Sequence, residues 1–174
     1  MADARALKQA IERNTKAVTL RPSFARGTSS TYATIVRGCT CEITEGPWRL
    51  VADIPKSEGG DDNGPTPGVL GRGALGSCLA MTIVAQAAAH DVPVDAVSIE
   101  VQADWDGRGY LGVGDNIPAG YTQVRVIVNV KSSAPEHRVR EIVKIAERLS
   151  PWVDVFRREN DVAIDARIAP PDGR

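Results

Sequence analysis

Thr66-Pro67-Gly68-Val69-Leu70-Gly71-Arg72-Gly73-Ala74-Leu75-Gly76-Ser77-Cys78-Leu79-Ala80-Met81-Thr82-Ile83-Val84-Ala85-Gln86-Ala87-Ala88-Ala89 is the stretch on which the fold of this 174-residue chain turns. Its large apolar residues (Val69, Leu70, Leu75, Leu79, Met81, Ile83, Val84) fall on every side of a helix, which marks a segment covered by the rest of the protein. Thr66 reads as the N-cap, with Pro67 at the first helical position, where a missing N–H is harmless. Gly71, Gly73 and Gly76 each lower helix propensity by about 1 kcal/mol, so close packing on another backbone has to compensate. The sequence therefore predicts a buried helix from Pro67 to about Ala89, packed on a sheet or on a second copy of itself. Cys78 lies within it.

Upstream, Leu7, Ala10, Ile11 and Val18 recur at helical spacing and predict an amphipathic N-terminal helix over 3–18, an arm. Residues 31–44, with Tyr32, Ile35, Val36, Cys39, Cys41 and Ile43, read as a strand, and Trp48 to Ile54 as a second. Lys56 to Asn63 is a loop by composition. Downstream, residues 96–105 and Val124–Val130 alternate as strands, joined by a glycine-rich connection from Asp106 to Tyr121 that is either a lid or a flexible hairpin loop. Ser133-Ala134-Pro135-Glu136 has the capping-box pattern and opens an amphipathic helix that Pro151 ends. Val162–Ile168 alternates as a last strand before a proline-containing tail. Strands that come in pairs favour an α+β domain over a doubly wound sheet. The expected organisation is an arm and linker over 1–30, one domain over 31–168, and a tail over 169–174.

Lys and Arg total 21 against 22 Asp and Glu, a net charge of −1 that offers no general pull toward nucleic acid or an anionic membrane. The N-terminus has no signal-peptide core and no apolar run reads as a membrane span, so a cytoplasmic location is expected. Three cysteines in such a chain point to reduced thiols rather than a disulfide framework. Cys39 and Cys41 would share one face of a strand, and His90 and His137 are isolated, so no metal or other cofactor is expected.

Gly59-Gly60, Gly64-Pro65-Thr66-Pro67, Leu70 and Ala74-Leu75-Gly76-Ser77-Cys78-Leu79-Ala80-Met81-Thr82 together resemble the first signature of the OsmC/Ohr family of thiol-dependent hydroperoxide reductases. Leu149-Ser150-Pro151 is similar to the second, and the resemblance spans roughly 30–168. It implies antiparallel sheets around a long central helix, an intertwined homodimer with sites at the subunit interface, and Cys78 as the peroxide-reacting thiol. It also implies two departures. Where members that reduce organic peroxides carry a second cysteine this chain has Ser150, and where they carry a glutamate after the helix-opening proline it has Gly68. The arginine that such a glutamate orients comes from the region of Arg21, Arg26, Arg37 and Arg49. The resemblance does not choose among them, and Arg37 is carried forward as the candidate beside Cys78 and Ser150. Arg72, six residues before Cys78, is not an obvious substitute.

Cys78 thus reads either as a small buried hydrophobe or as a nucleophile that passes through a sulfenic acid. Since serine cannot form a disulfide, an external thiol would have to regenerate it. Three functions follow as expectations: a one-cysteine reductase of organic hydroperoxides; a non-enzymatic protein that binds an apolar small molecule at the dimer interface; and a redox sensor pairing Cys78 with Cys39 or Cys41.

Overall fold

The computed structural model describes residues 4–169; the first three residues of the predicted arm and all but the first residue of the tail assigned to 169–174 lie outside them. Helix α1 (Ala4–Leu20) and a 3₁₀ turn (Pro22–Ala25) precede strands β1 (Tyr32–Arg37), β2 (Thr40–Glu45) and β3 (Trp48–Ala52). Helix α2 (Pro67–Ala89) follows, then β4 (Ala96–Trp105), the four-residue α3 (Gly107–Tyr110), β5 (Tyr121–Lys131), α4 (Glu136–Leu149) and α5 (Pro151–Arg157). The strands form two antiparallel sheets, β1-β2-β3 and β4-β5, so the fold is α+β as expected.

The core lies between α2, α4 and one face of the β4-β5 hairpin. Val97, Ile99 and Val101 of β4 and Val124, Val126, Val128 and Val130 of β5 alternate toward it, against buried Leu75, Leu79, Ile83, Ile142 and Ala146. Burying a side chain the size of Leu or Ile contributes about 1.5–3 kcal/mol, so these few residues carry much of the domain's stability. The other face of the hairpin is polar, with Arg125 reaching Gln102 and clasping Asp104. Gly76 is where α2 meets β4: a Cβ there would come within 3.3 Å of Val101 and 3.6 Å of Ile99. Helix α1 packs on α2 through half-buried Leu7, Ala10 and Ile11, and Lys8 pairs with Asp91 at 2.5 Å.

Several local expectations are corrected. The segment 31–44 is two strands, because Gly38 at φ 53° turns the chain between Arg37 and Thr40 and leaves Cys39 in the turn. Thr66 is the N-cap residue, but its backbone carbonyl, not its hydroxyl, accepts from the Val69 and Leu70 N–H groups. The capping box at Ser133 does not form, since Pro135 is the N-cap and carries no side-chain donor or acceptor. Ser132 works instead, donating to the Pro93 carbonyl at 2.5 Å and accepting from the Ala134 N–H. Pro151 both ends α4 and opens α5.

The predicted strand at 162–168 is absent. Val162, Ile164 and Ile168 are 76%, 90% and 94% exposed, because alternation makes a strand only beside an edge that takes its hydrogen bonds. Helix α2 is covered on one side only: Leu75, Leu79, Ile83 and Ala87 are buried, whereas Val69 and Met81 are open. By length and composition this helix is apolar enough to cross a membrane, contrary to the sequence reading, yet its buried face belongs to the core just described.

Candidate functional site

Cys78 sits beside the core-facing ridge of α2 formed by Leu75 and Leu79, half-buried, with its sulfur toward the junction of α4 and α5. At that junction Ser150 is 1% exposed and its hydroxyl donates to the Cys78 Sγ at 3.5 Å. The same residue closes one helix and opens the next: its N–H donates to the Ala146 carbonyl and its own carbonyl accepts from the Asp154 N–H. Two of the residues named from sequence are therefore brought together, although they stand 72 positions apart.

The third is not joined to them by a hydrogen bond. The Arg37 guanidinium donates to Asp61 at 2.7 Å, tying the end of β1 to the loop before α2. Around this tie the loop is anchored by Asp53, 1% exposed, whose carboxylate accepts from the Thr40 hydroxyl at 2.9 Å and from the Ile54 and Asn63 N–H groups. Asn63 Nδ2 donates to Thr40 in turn. Burial works against charging Asp53, but the hydrogen bonds from Thr40, Asn63, Ile54 and Asp61 outweigh it and hold the carboxyl below the ordinary carboxylate range.

Gly68 is not an empty position. A Cβ there would meet the Tyr121 hydroxyl at 3.2 Å and Arg72 Nη1 at 3.3 Å. Arg72 donates to the Tyr121 hydroxyl at 2.9 Å with its guanidinium carbon 5.9 Å from the ring centre, and Tyr121 donates to the Gly68 carbonyl at 3.1 Å. Spacing along α2 argues against Arg72, and the sequence marks Tyr121 only as the end of the glycine-rich connection. The signal that links them is three-dimensional: β5 begins where α2 begins, and glycine leaves room for both side chains.

Two concavities flank α2. A cleft of about 630 Å³ runs between β5, α4 and α5, with Leu75, Leu79, Val126, Val143, Val153 and Phe156 among its walls. A groove of about 430 Å³ lies where α2 meets β4. Cys39 is exposed in the β1–β2 turn, Cys41 lies on β2, and all three cysteines are free thiols. Neither joins Cys78, whose hydrogen-bond partner is Ser150. Among the described residues no group of three or more His, Cys, Asp or Glu side chains is placed to hold a metal ion. In the glycine-rich connection Asp106 caps α3 by accepting from the Arg108 N–H, so part of that loop is ordered by its own side chains.

The family model described as OsmC-like protein matches residues 59–165. No curated protein matches the sequence significantly. Among solved structures, an OsmC-like protein from Mycoplasma pneumoniae superposes with a TM-score of 0.65 at 13% identity, over 75% of this chain and 88% of that one. An organic hydroperoxide resistance protein OsmC from Legionella pneumophila gives 0.54 at 17% identity, over 75% and 90%. An organic hydroperoxide resistance protein from Elizabethkingia anophelis gives 0.56 at 15%, over 76% and 89%.

Proposed function

The chain belongs to the OsmC-like protein family, and from that premise we propose that it reduces organic hydroperoxides through Cys78, with an external thiol as reductant. The observation that carries this reading is the Ser150 hydroxyl donating to the Cys78 sulfur at 3.5 Å. It puts a neutral donor against the atom that reacts, at the position where a second cysteine would otherwise resolve the oxidised form.

The Cys78 thiolate attacks the terminal oxygen of R–O–OH, an S–O bond forms as the O–O bond breaks, and the alkoxide leaves and takes a proton to become R–OH. Cysteine is thereby oxidised by two electrons to a sulfenic acid, and the peroxide is reduced to an alcohol. An external thiol then displaces hydroxide, which leaves as water, to give a mixed disulfide. A second thiol releases Cys78 and departs as the oxidised disulfide. Ser150 orients the sulfur and offers its hydroxyl to the sulfenic oxygen, but cannot itself close a disulfide. Arg37, fixed to Asp61 beside the start of α2, is in this reading the cation that faces the site once the protein assembles.

Assembly as a homodimer is part of the proposal. The β1-β2-β3 sheet leaves Tyr32, Ile35, Val36, Trp48 and Leu50 each more than half exposed, and a three-stranded sheet with apolar residues open to water needs a covering surface. The unpaired 162–168 segment and the open side of α2 need one too.

The test is mass spectrometry of protein treated with cumene hydroperoxide and a sulfenic-acid trap, together with peroxide consumption in the presence of dithiothreitol. Trapped adduct on Cys78 and turnover that Cys78→Ser abolishes are the expected results. Absence of both in folded wild type refutes the peroxidase reading and leaves a binding role for the fold.

A further inference from the structure

The net charge of −1 conceals an asymmetry along the chain. Between Ala4 and Arg26 the sequence sets the cations Arg5, Lys8, Arg13, Lys16, Arg21 and Arg26 against a single carboxylate, Glu12, so the arm is strongly basic and the remainder acidic. Helix α1 is held to the domain by its first half, where Leu7, Ala10 and Ile11 pack on α2 and Lys8 pairs with Asp91. From Glu12 to Thr31 every residue is exposed. Arg13, Lys16, Arg21 and Arg26 pair with no carboxylate among the described residues. At about 100° per residue, Lys16 and Leu20 fall about 180° from Leu7 and Ile11, with Arg13 beside them, on the face of α1 turned from α2. Leu20 is 72% exposed and Phe24, in the following turn, 65%, with the Arg21 guanidinium carbon 5.5 Å from the Phe24 ring centre.

We propose that this projecting half of the arm docks on an anionic lipid surface, with Leu20 and Phe24 entering the headgroup region and Arg13, Lys16, Arg21 and Arg26 against the lipid phosphates. A bilayer interface takes both kinds of side chain at once: apolar area goes below the headgroups while cations stay among them. A nucleic-acid backbone would take the cations but leave Leu20 in water. None of these residues lies on the surfaces assigned above to the homodimer, which are the β1-β2-β3 sheet, the open side of α2 and segment 162–168. The proposal does not rest on the chemistry of Cys78.

The experiment is co-sedimentation of the full chain with vesicles of phosphatidylcholine alone and of phosphatidylcholine mixed with phosphatidylglycerol, at low and high salt. Binding to the mixed vesicles is expected, at least tenfold tighter than to phosphatidylcholine and weakened by salt. A cation at such a surface contributes about fivefold in affinity, so Arg13→Gln combined with Lys16→Gln should cost about 25-fold. Leu20→Ser combined with Phe24→Ser keeps every cation and should cost at least tenfold. All four positions are exposed, so both variants should melt with the wild type. Equal binding to the two vesicle types, or no binding by folded wild type, overturns the proposal. So does undiminished binding of the Leu20→Ser, Phe24→Ser variant, or a fall of that variant from dimer to monomer mass in light scattering, which would assign the tip to a second copy of the chain. A duplex DNA oligomer bound as tightly as the mixed vesicles overturns it in favour of nucleic acid.

Discussion

Replacing Ser150 by cysteine tests the geometry of the site more directly than any loss of function. The Ser150 Oγ and the Cys78 Sγ are 3.5 Å apart, and a cysteine sulfur at position 150 has to approach Cys78 by only about 1.5 Å to reach disulfide bonding distance. Ser150 closes the last turn of α4 and opens α5, a junction able to absorb a shift of that size. Under peroxide, S150C should therefore pass from a sulfenic acid at Cys78 to an internal 78–150 disulfide with loss of water. The closed loop contains the 72-position separation, and the chain-entropy estimate for it is about 4 kcal/mol before any strain is subtracted. For a chain of this size that corresponds to a rise in Tm of roughly 8–16 °C. The assay is intact mass and peptide mapping with and without reductant, paired with thermal unfolding of both forms. If folded S150C, oxidised to completion, yields no 78–150 crosslink, the contact between α2 and the α4–α5 junction is wrong and the site built on it fails.

Three further outcomes follow from packing and charge. Ile83→Ala opens a cavity at a fully buried position and should lower stability by about 2–5 kcal/mol in urea unfolding; a loss under 1 kcal/mol would place Ile83 outside the core. Gly60→Ala drives a Cβ to 2.0 Å from the Ile54 carbonyl and should destabilise by about 1–3 kcal/mol, whereas Gly73→Ala, in open space, should stabilise by about 1 kcal/mol. Two melts of opposite sign are the check, and equal shifts would contradict the backbone here. Asp53 has a folded pKa below its unfolded one, so its contribution is present above the ordinary carboxylate pKa and disappears as pH falls through the depressed value. Hydrogen exchange at the Asn63 amide should accordingly stay slow through the usual carboxylate range and rise only below it; acceleration already at pH 5 would argue against the network.

The long apolar helix and the valine alternation were legible because burial on α2 and on the β4-β5 face is written in residue type at fixed periods. Cys78 and Ser150 were legible through their flanking motifs, though only the fold shows that their side chains touch. The turn at Gly38 was not, since one glycine amid β-branched residues reads equally as part of a strand. Segment 162–168 has a strand's alternation, but pairing belongs to two segments and cannot be read from one. Arg72 and Tyr121 escaped for a related reason: 49 positions separate them, and what joins them is the side chain that Gly68 lacks.

The elbow at Ser150 couples mechanics to chemistry. One residue links two helices through its backbone hydrogen bonds and touches the Cys78 sulfur through its hydroxyl. An adduct that enlarges Cys78 would therefore meet the α4–α5 junction before any other part of the fold, and that one residue would have to accommodate it with its backbone as well as its side chain.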